Sequence, residues 1–144
     1  MKTDSISRLQ SVLSGGGFAV TAECGPPRGA DPEVVRKKGQ LLRECADAVN
    51  VTDNQTAIVR MSSIAASVHL LALGLEPVMQ MVTRDRNRIA LQADLLAANG
   101  CGITNVMAVT GEDPSFGDHH QARSVYDIDL LELLGGMQRL QQGK

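Results

Sequence analysis

The 144-residue chain has no tryptophan, one tyrosine (Tyr126) and two phenylalanines (Phe18 and Phe116). Single-stranded nucleic acid is usually held on several aromatic faces, so this composition argues against that partner. A basic surplus is missing as well, with a formal net charge of −2 and a pI near 5.9. Such a balance grips neither a phosphate backbone nor an anionic lipid surface. No run approaches the ~18 consecutive apolar residues of a membrane span. The amino-terminal stretch "MKTDSISRLQSVLSGGG" lacks the apolar core of a signal peptide. Cys24, Cys45 and Cys101 are odd in number, widely spaced and without a CxxC pair. Reduced thiols and a cytoplasmic location are therefore expected, with neither disulfides nor zinc.

What is present is ordinary for a globular chain: 43% hydrophobic and 21% charged residues, enough for one core. Four apolar, partly β-branched runs read as strands: "FAVTAE", "DAVNVT", "EPVMQMVT" and "ITNVMAVTG". Their starts at Phe18, Asp47, Glu76 and Ile103 are 29, 29 and 27 residues apart. A helical pattern follows each run. The expected helices are Pro32 to Ala46 capped by Asp31, Arg60 to Leu73 stopped by Gly74, Arg86 to Asn99 capped by Asp85 and ended by Gly100, and Ile128 to Gln142 capped by Asp127. A further helix, Ser5 to Leu13, leads into "SGGG". Residues 1–17 thus form a helix and glycine-rich lead-in, and residues 18–144 form the repeating region.

Strands alternating with helices imply parallel βαβ crossovers. A period near 29 suits a (β/α)₈ TIM-type barrel, whose ~250 residues divide into eight units of roughly 31. Four units make half of one; a doubly wound open sheet is the alternative. Side-chain alternation separates an apolar set (Val20/Ala22, Val49/Val51, Met79/Met81) from a second set. That second set reads Thr21/Glu23, Asn50/Thr52, Val78/Gln80 and Ala108/Thr110. Its polar members gather at the strands' carboxyl ends, where barrel active sites are built. Glu23, Thr52, Gln80 and Thr110 are therefore expected to converge.

Glu23 ends a strand read as buried, immediately before "CGPPRG". It is either a general acid or a carboxylate that caps local N–H groups or pairs with Arg28. Cys24 points the other way and reads as core. "VTDNQT" (51–56) either contacts a ligand or makes turns through Asp53 and Asn54. "TRDRNR" (83–88) either holds a phosphate at a helix start or is a solvated first turn, the preferred reading for Arg86 and Arg88. Thr110–Asp127 is a long polar loop of the kind that often carries function. His119 and His120, adjacent and unsupported by a spaced partner, read as exposed and not as metal ligands. His69 reads as a core or interface histidine. "SGGG" precedes a strand, the wrong side for a dinucleotide fingerprint.

The stretches "TAECGPPRG", "AVNVTDNQTAIVRMSS", "EPVMQMVTRDRNRIALQADLLAANGCGITNVMAVTGEDPSFGDH" and "VYDID" together resemble the methylenetetrahydrofolate reductase family, across nearly all of the chain from Phe18 onward. The resemblance implies a (β/α)₈ barrel carrying FAD at the strands' carboxyl ends. It also implies NAD(P)H as electron donor and methylenetetrahydrofolate as the substrate reduced to methyltetrahydrofolate, in one-carbon metabolism and methionine biosynthesis. By that resemblance Glu23 is the acid that promotes opening of the folate imidazolidine ring. Thr52 lies at the flavin, and Gln80 takes a place where many relatives have a flavin-contacting histidine. Thr110, Gly111 and Glu112 stand where the family has Arg-Gly-Asp. Glu112 or the adjacent Asp113 then takes the aspartate's role at flavin and pterin. Family members have about eight units against four here. A fragment, or a half completed by another copy or a partner, is therefore expected. A non-catalytic folate- or flavin-binding half-barrel is the second expectation, and a flavin-free barrel enzyme using Glu23 for proton transfer is the third.

Overall fold

The computed structural model describes residues 7–143. Four strands, β1 (Thr21–Cys24), β2 (Ala48–Val51), β3 (Pro77–Val82) and β4 (Asn105–Val109), form one parallel sheet in the order β1-β2-β3-β4. This is an α/β fold whose order never reverses, as in successive units of a barrel. A doubly wound sheet reverses at a switch point. Helices α1 (Arg8–Ser14), α2 (Pro32–Leu42), α3 (Ser63–Leu71), α4 (Arg88–Gly100) and α5 (Leu130–Gln141) precede, separate and follow the strands. Ser5 and Ile6, placed in the first helix by the sequence pattern, lie outside the described residues.

The caps explain where each helix begins. Asp31 accepts from the Glu33 N–H with Pro32 in the first turn, as the sequence indicates. The third and fourth caps differ from expectation. Asn87, not Asp85, caps α4, accepting from Ile89 and Ala90 N–H, because the Asp85 carboxylate is taken by Arg84. Asp129, not Asp127, caps α5 in a reciprocal capping box with Glu132, while Asp127 binds Arg88. Ser62 caps α3, so that helix starts three residues after Arg60. Helix α4 runs through Gly100, and the left-handed turn falls at Gly102 (φ +85°).

Both hydrophobic clusters lie on one face of the sheet. Cys24, Val49 and Val51 meet Val35, Ala66 and Leu70 in one cluster. Met79 and Met81 meet Leu91, Ala98 and Leu133 in a second. Each large side chain so buried contributes about 1.5–3 kcal/mol. The opposite face is open over much of its area, although Ala48, Val78 and Val82 on it are buried. Thr21 and Glu23 are exposed, Asn50 and Gln80 half-buried, and Met107 41% exposed. Glu23 is thus on the uncovered face and is not the buried strand end that the sequence pattern suggests.

The ladder corrects the alternation in β4. Gln80 stands opposite Met107 and Met81 opposite Ala108. Ala108 and Val106 pack with the helix-side cluster of Met79 and Met81. Thr110 therefore continues the helix-side parity, and Met107 and Val109 occupy the open-face positions. Val106 through Val109 are apolar in succession, so no polar marker in the sequence could set their faces.

Beneath the sheet, α1 closes the strands' amino ends. The Glu76 carboxylate accepts from Arg8 N–H (2.6 Å) and Leu9 N–H (3.0 Å), and from Asn105 Nδ2 (3.0 Å). Arg8 pairs with Asp47, which also accepts from Val20 N–H.

Candidate active site

The carboxyl ends of the four strands carry the chain's polar loops, and the loops are built on one another. After β1, the Pro27 carbonyl accepts from Met61 N–H and the Pro26 carbonyl from Arg60 Nη1. Both donors come from the loop after β2. Glu23, at the base of this junction, stands opposite Asn50 in the ladder and is exposed. Among the described residues none forms an ion pair with it, Arg28 included. Cys24 is fully buried on the helix side, and burial pushes its thiol up.

After β2 the chain turns through Thr52–Ala57. Thr52 is buried and donates to Gln55 Oε1 at 3.0 Å. A side chain at Gly25 would meet that same Gln55 oxygen at 3.2 Å, so Gln55 is seated between the first two loops. Asp53 is buried and accepts from Val82 N–H and from both terminal nitrogens of Arg86. Asn54, Thr56 and Ala57 all have positive φ (44°, 60° and 54°). For Thr and Ala that conformation is strained. Its partner is Gly117, where a Cβ would come within 1.9 Å of the Ala57 carbonyl oxygen. The loop after β4 thus lies directly on the loop after β2.

Arg84 joins these loops. It is 2% exposed. Its Nε and Nη2 bind the two Asp85 oxygens at 2.6 and 2.8 Å. Nη2 also donates to the Asn54 carbonyl (3.2 Å) and Nη1 to the Glu112 carbonyl (3.0 Å). The Glu112 carboxylate lies 3.6 Å from Nη1 and is 51% exposed. Asp113 instead caps a short 3₁₀ turn, Pro114–Phe116, through Ser115 N–H. That hydrogen bonding holds its carboxyl below the usual carboxylate range.

A family model for methylenetetrahydrofolate reductase matches residues 8–139. The chain belongs to the methylenetetrahydrofolate reductase family. A search of curated proteins finds no match. The match spans the four strands and every loop just described. Methylenetetrahydrofolate reductases are generally flavin-dependent oxidoreductases, and folate as substrate is consistent with membership.

Within this member of the methylenetetrahydrofolate reductase family, ladder register puts Glu23 and Gln80 on the same open face, with Thr52 continuing that face beyond β2. Thr110 is exposed but off that parity. Gly111 has φ +88° and is packed against Arg84 and Val82, and Glu112 faces Arg84. Arg86 is not a solvated first-turn residue; it is wedged between Asp53 and Asp94. Arg88 is exposed, as expected, and pairs with Asp127. His119 and His120 are exposed, and no cluster of metal-ligating side chains occurs among the described residues. Sequence reasoning passed over Arg84, Gln55 and the clamp role of Asp53. An arginine directly after a strand and directly before an aspartate was the available signal for the first. Among the described residues no helix is long and apolar enough to cross a membrane.

Proposed function

We propose that the chain reduces 5,10-methylenetetrahydrofolate to 5-methyltetrahydrofolate, with FAD at the strands' carboxyl ends and NAD(P)H as donor. The observation that carries this reading is the family match across residues 8–139, which includes each strand-end residue invoked below. The donor set fits a flavin. Thr52, Gln80 and the Gly111–Glu112 turn offer hydroxyl, amide and backbone groups beside an uncovered sheet face bearing exposed Met107. A planar ring system needs such a mixture of apolar face and polar edge. A bound flavin supplies the two-electron relay between nicotinamide and folate.

Glu23 acts as the proton donor. As the C–N bond of the imidazolidine ring breaks, its electron pair goes to the departing nitrogen and the Glu23 proton follows. The iminium carbon left behind then accepts hydride. Exposure of Glu23 on the open face supports this role, because the carboxyl is free to reach a substrate. Thr52, Gln80, Thr110 and Gly111 are proposed to hold the cofactor. Of the two acids after Gly111, Glu112 is the better candidate for the pterin and flavin contact, since the Asp113 carboxylate is occupied by Ser115.

The proposed site has a second half. β1 and β4 are edge strands of the described sheet and its inner face is uncovered at Glu23, Asn50, Gln80 and Met107, which supports closure into a (β/α)₈ barrel. Further polypeptide or a second copy would supply the rest, in a cytoplasmic enzyme of one-carbon metabolism. The test is direct: purified full-length protein should be yellow and oxidise NAD(P)H on addition of methylenetetrahydrofolate. A colourless protein without folate-dependent turnover after added FAD overturns the proposal. The same open edges favour a second reading, a non-catalytic assembly module. A stable folded dimer without flavin, by mass measurement in solution, would support that reading instead.

A further inference from the structure

We propose that Arg84 is a positioning residue for the turn after β4, and that it turns the Glu112 and Asp113 amides into a donor pair for a ligand. The geometry begins with two carbonyls. Arg84 Nη1 donates to the Glu112 oxygen at 3.0 Å, and the Tyr126 hydroxyl donates to the Gly111 oxygen at 3.4 Å. No cis peptide occurs among the described residues. In a trans peptide the N–H is directed opposite to the preceding carbonyl. Tyr126 on the Gly111 oxygen therefore turns the Glu112 N–H away from Tyr126, and Arg84 on the Glu112 oxygen turns the Asp113 N–H away from Arg84. Neither N–H has a partner among the described residues. Two adjacent unpaired amides at a strand end suit an oxygen or ring-nitrogen acceptor.

Arg84 is itself held from several sides. Asp85 takes Nε and Nη2, Asn54 takes Nη2, and Val125 N–H donates to the Arg84 carbonyl at 2.7 Å. Gly111 makes room for it: a Cβ there would stand 3.2 Å from both Arg84 Cβ and Nη1. Tyr126 adopts φ +41°, a strained conformation for a non-glycine residue, in the strap that crosses Arg84. The guanidinium thus ties the loops after β2, β3 and β4 into one rigid unit and sets the direction of two backbone donors. The ligand class follows the proposed function and rests on it: the acceptor edge of a planar heterocycle such as a flavin. The positioning role of Arg84 stands on the geometry alone.

The test uses the full chain and backbone amide NMR. In the ligand-free protein, Glu112 and Asp113 should each give one sharp amide resonance. Arg84→Lys should broaden or split both while the strand resonances stay in place. FAD titration should move these two amides downfield in the wild type. FAD affinity should fall about tenfold or more in Arg84→Lys, the equivalent of losing a charged hydrogen bond. Sharp, unshifted Glu112 and Asp113 signals in Arg84→Lys overturn the positioning role. FAD binding that leaves both amides unmoved overturns the donor pair. If Arg84→Lys does not fold, Asp85→Asn decides by the same two resonances, because it loosens the guanidinium that holds the Glu112 oxygen without removing it. Failure of the wild type to bind FAD would sink the proposed function, while the ligand-free spectra still decide the role of Arg84.

Discussion

Asp53 and Arg86 meet in a two-armed ion pair, at 2.8 and 3.0 Å, across 33 residues of chain. The Asp53 side chain is 1% exposed and also accepts from Val82 N–H at 3.0 Å. One carboxylate therefore ties the end of β2 to the end of β3 and to the segment leading into α4. Removing one partner of a buried pair leaves the other charge uncompensated, at a cost of about 3–5 kcal/mol. Asp53→Ala should lower the urea midpoint accordingly, with m unchanged. An unaltered midpoint would show that the clamp contributes nothing in solution.

The Asp85 carboxyl is subject to opposing influences. Burial raises its proton affinity, but hydrogen bonds from Arg84 and Asn54 and the charges of Arg84 and Arg86 outweigh burial and hold it below the usual carboxylate range. A depressed folded value stabilises the fold above the unfolded value of about 3.9, and that stability is lost as pH falls through the folded value. Unfolding free energy should decline below about pH 4. Asp85→Asn should flatten part of that decline, as read by urea titrations at neutral and acid pH. An identical acid limb in the variant would rule out this contribution.

Glu23→Gln separates the two half-reactions of the proposed function. Loss of a positioned proton donor typically costs about 10²–10⁴-fold. Folate reduction should fall by that order while NAD(P)H still reduces the flavin at the wild-type rate. Stopped-flow traces of each half-reaction provide the check. Equal loss in both would assign Glu23 to cofactor binding instead.

The three thiols should react unequally. Cys24 is buried, and burial pushes its thiol up, with Lys38 partly offsetting and Glu23 adding to the effect. Cys45 and Cys101 are exposed. An aromatic disulfide reagent should label two cysteines quickly in native protein and the third only in denaturant. Rapid labelling of Cys24 would contradict the packing of β1.

Gly117→Ala probes the contact between the loops after β2 and β4. The added methyl would sit 1.9 Å from the Ala57 carbonyl oxygen, a backbone atom that cannot swing aside. Overpacking of this kind costs about 1–3 kcal/mol. A lower thermal midpoint, with faster proteolysis near residues 114–120, is the expected result. Unchanged stability would show that the two loops are not in contact.

Much of the framework could be read from residue order. Spacing of apolar runs and Asp31 before Pro32 place strands and helices through local chemistry, while Gly74 marks the turn after a helix that ends at Leu71 and not Leu73. Side-chain alternation placed Glu23 and Gln80 on one face because polar and apolar residues alternate in β1 and Gln80 is the single polar residue of β3. It failed at Thr110, where four apolar residues in a row carry no phase. Local reading also took Asp85 and Asp127 for caps. Each is an aspartate just before a helix, but a distant or adjacent arginine competes for its carboxylate.

The sequence by itself determined the βα repeat, the helix-facing apolar stripe and the family, since all three are written in local patterns and motifs. Only the tertiary structure decided which carboxylates are clamps and which are free. Asp53, Asp85 and Asp127 are engaged by arginines, Asp113 is spent on its own turn, and Glu23 stands open. For Asp53 and Asp127 that distinction depends on which arginines the parallel register brings across 33 and 39 residues of chain, a distance over which no local pattern can specify a partner.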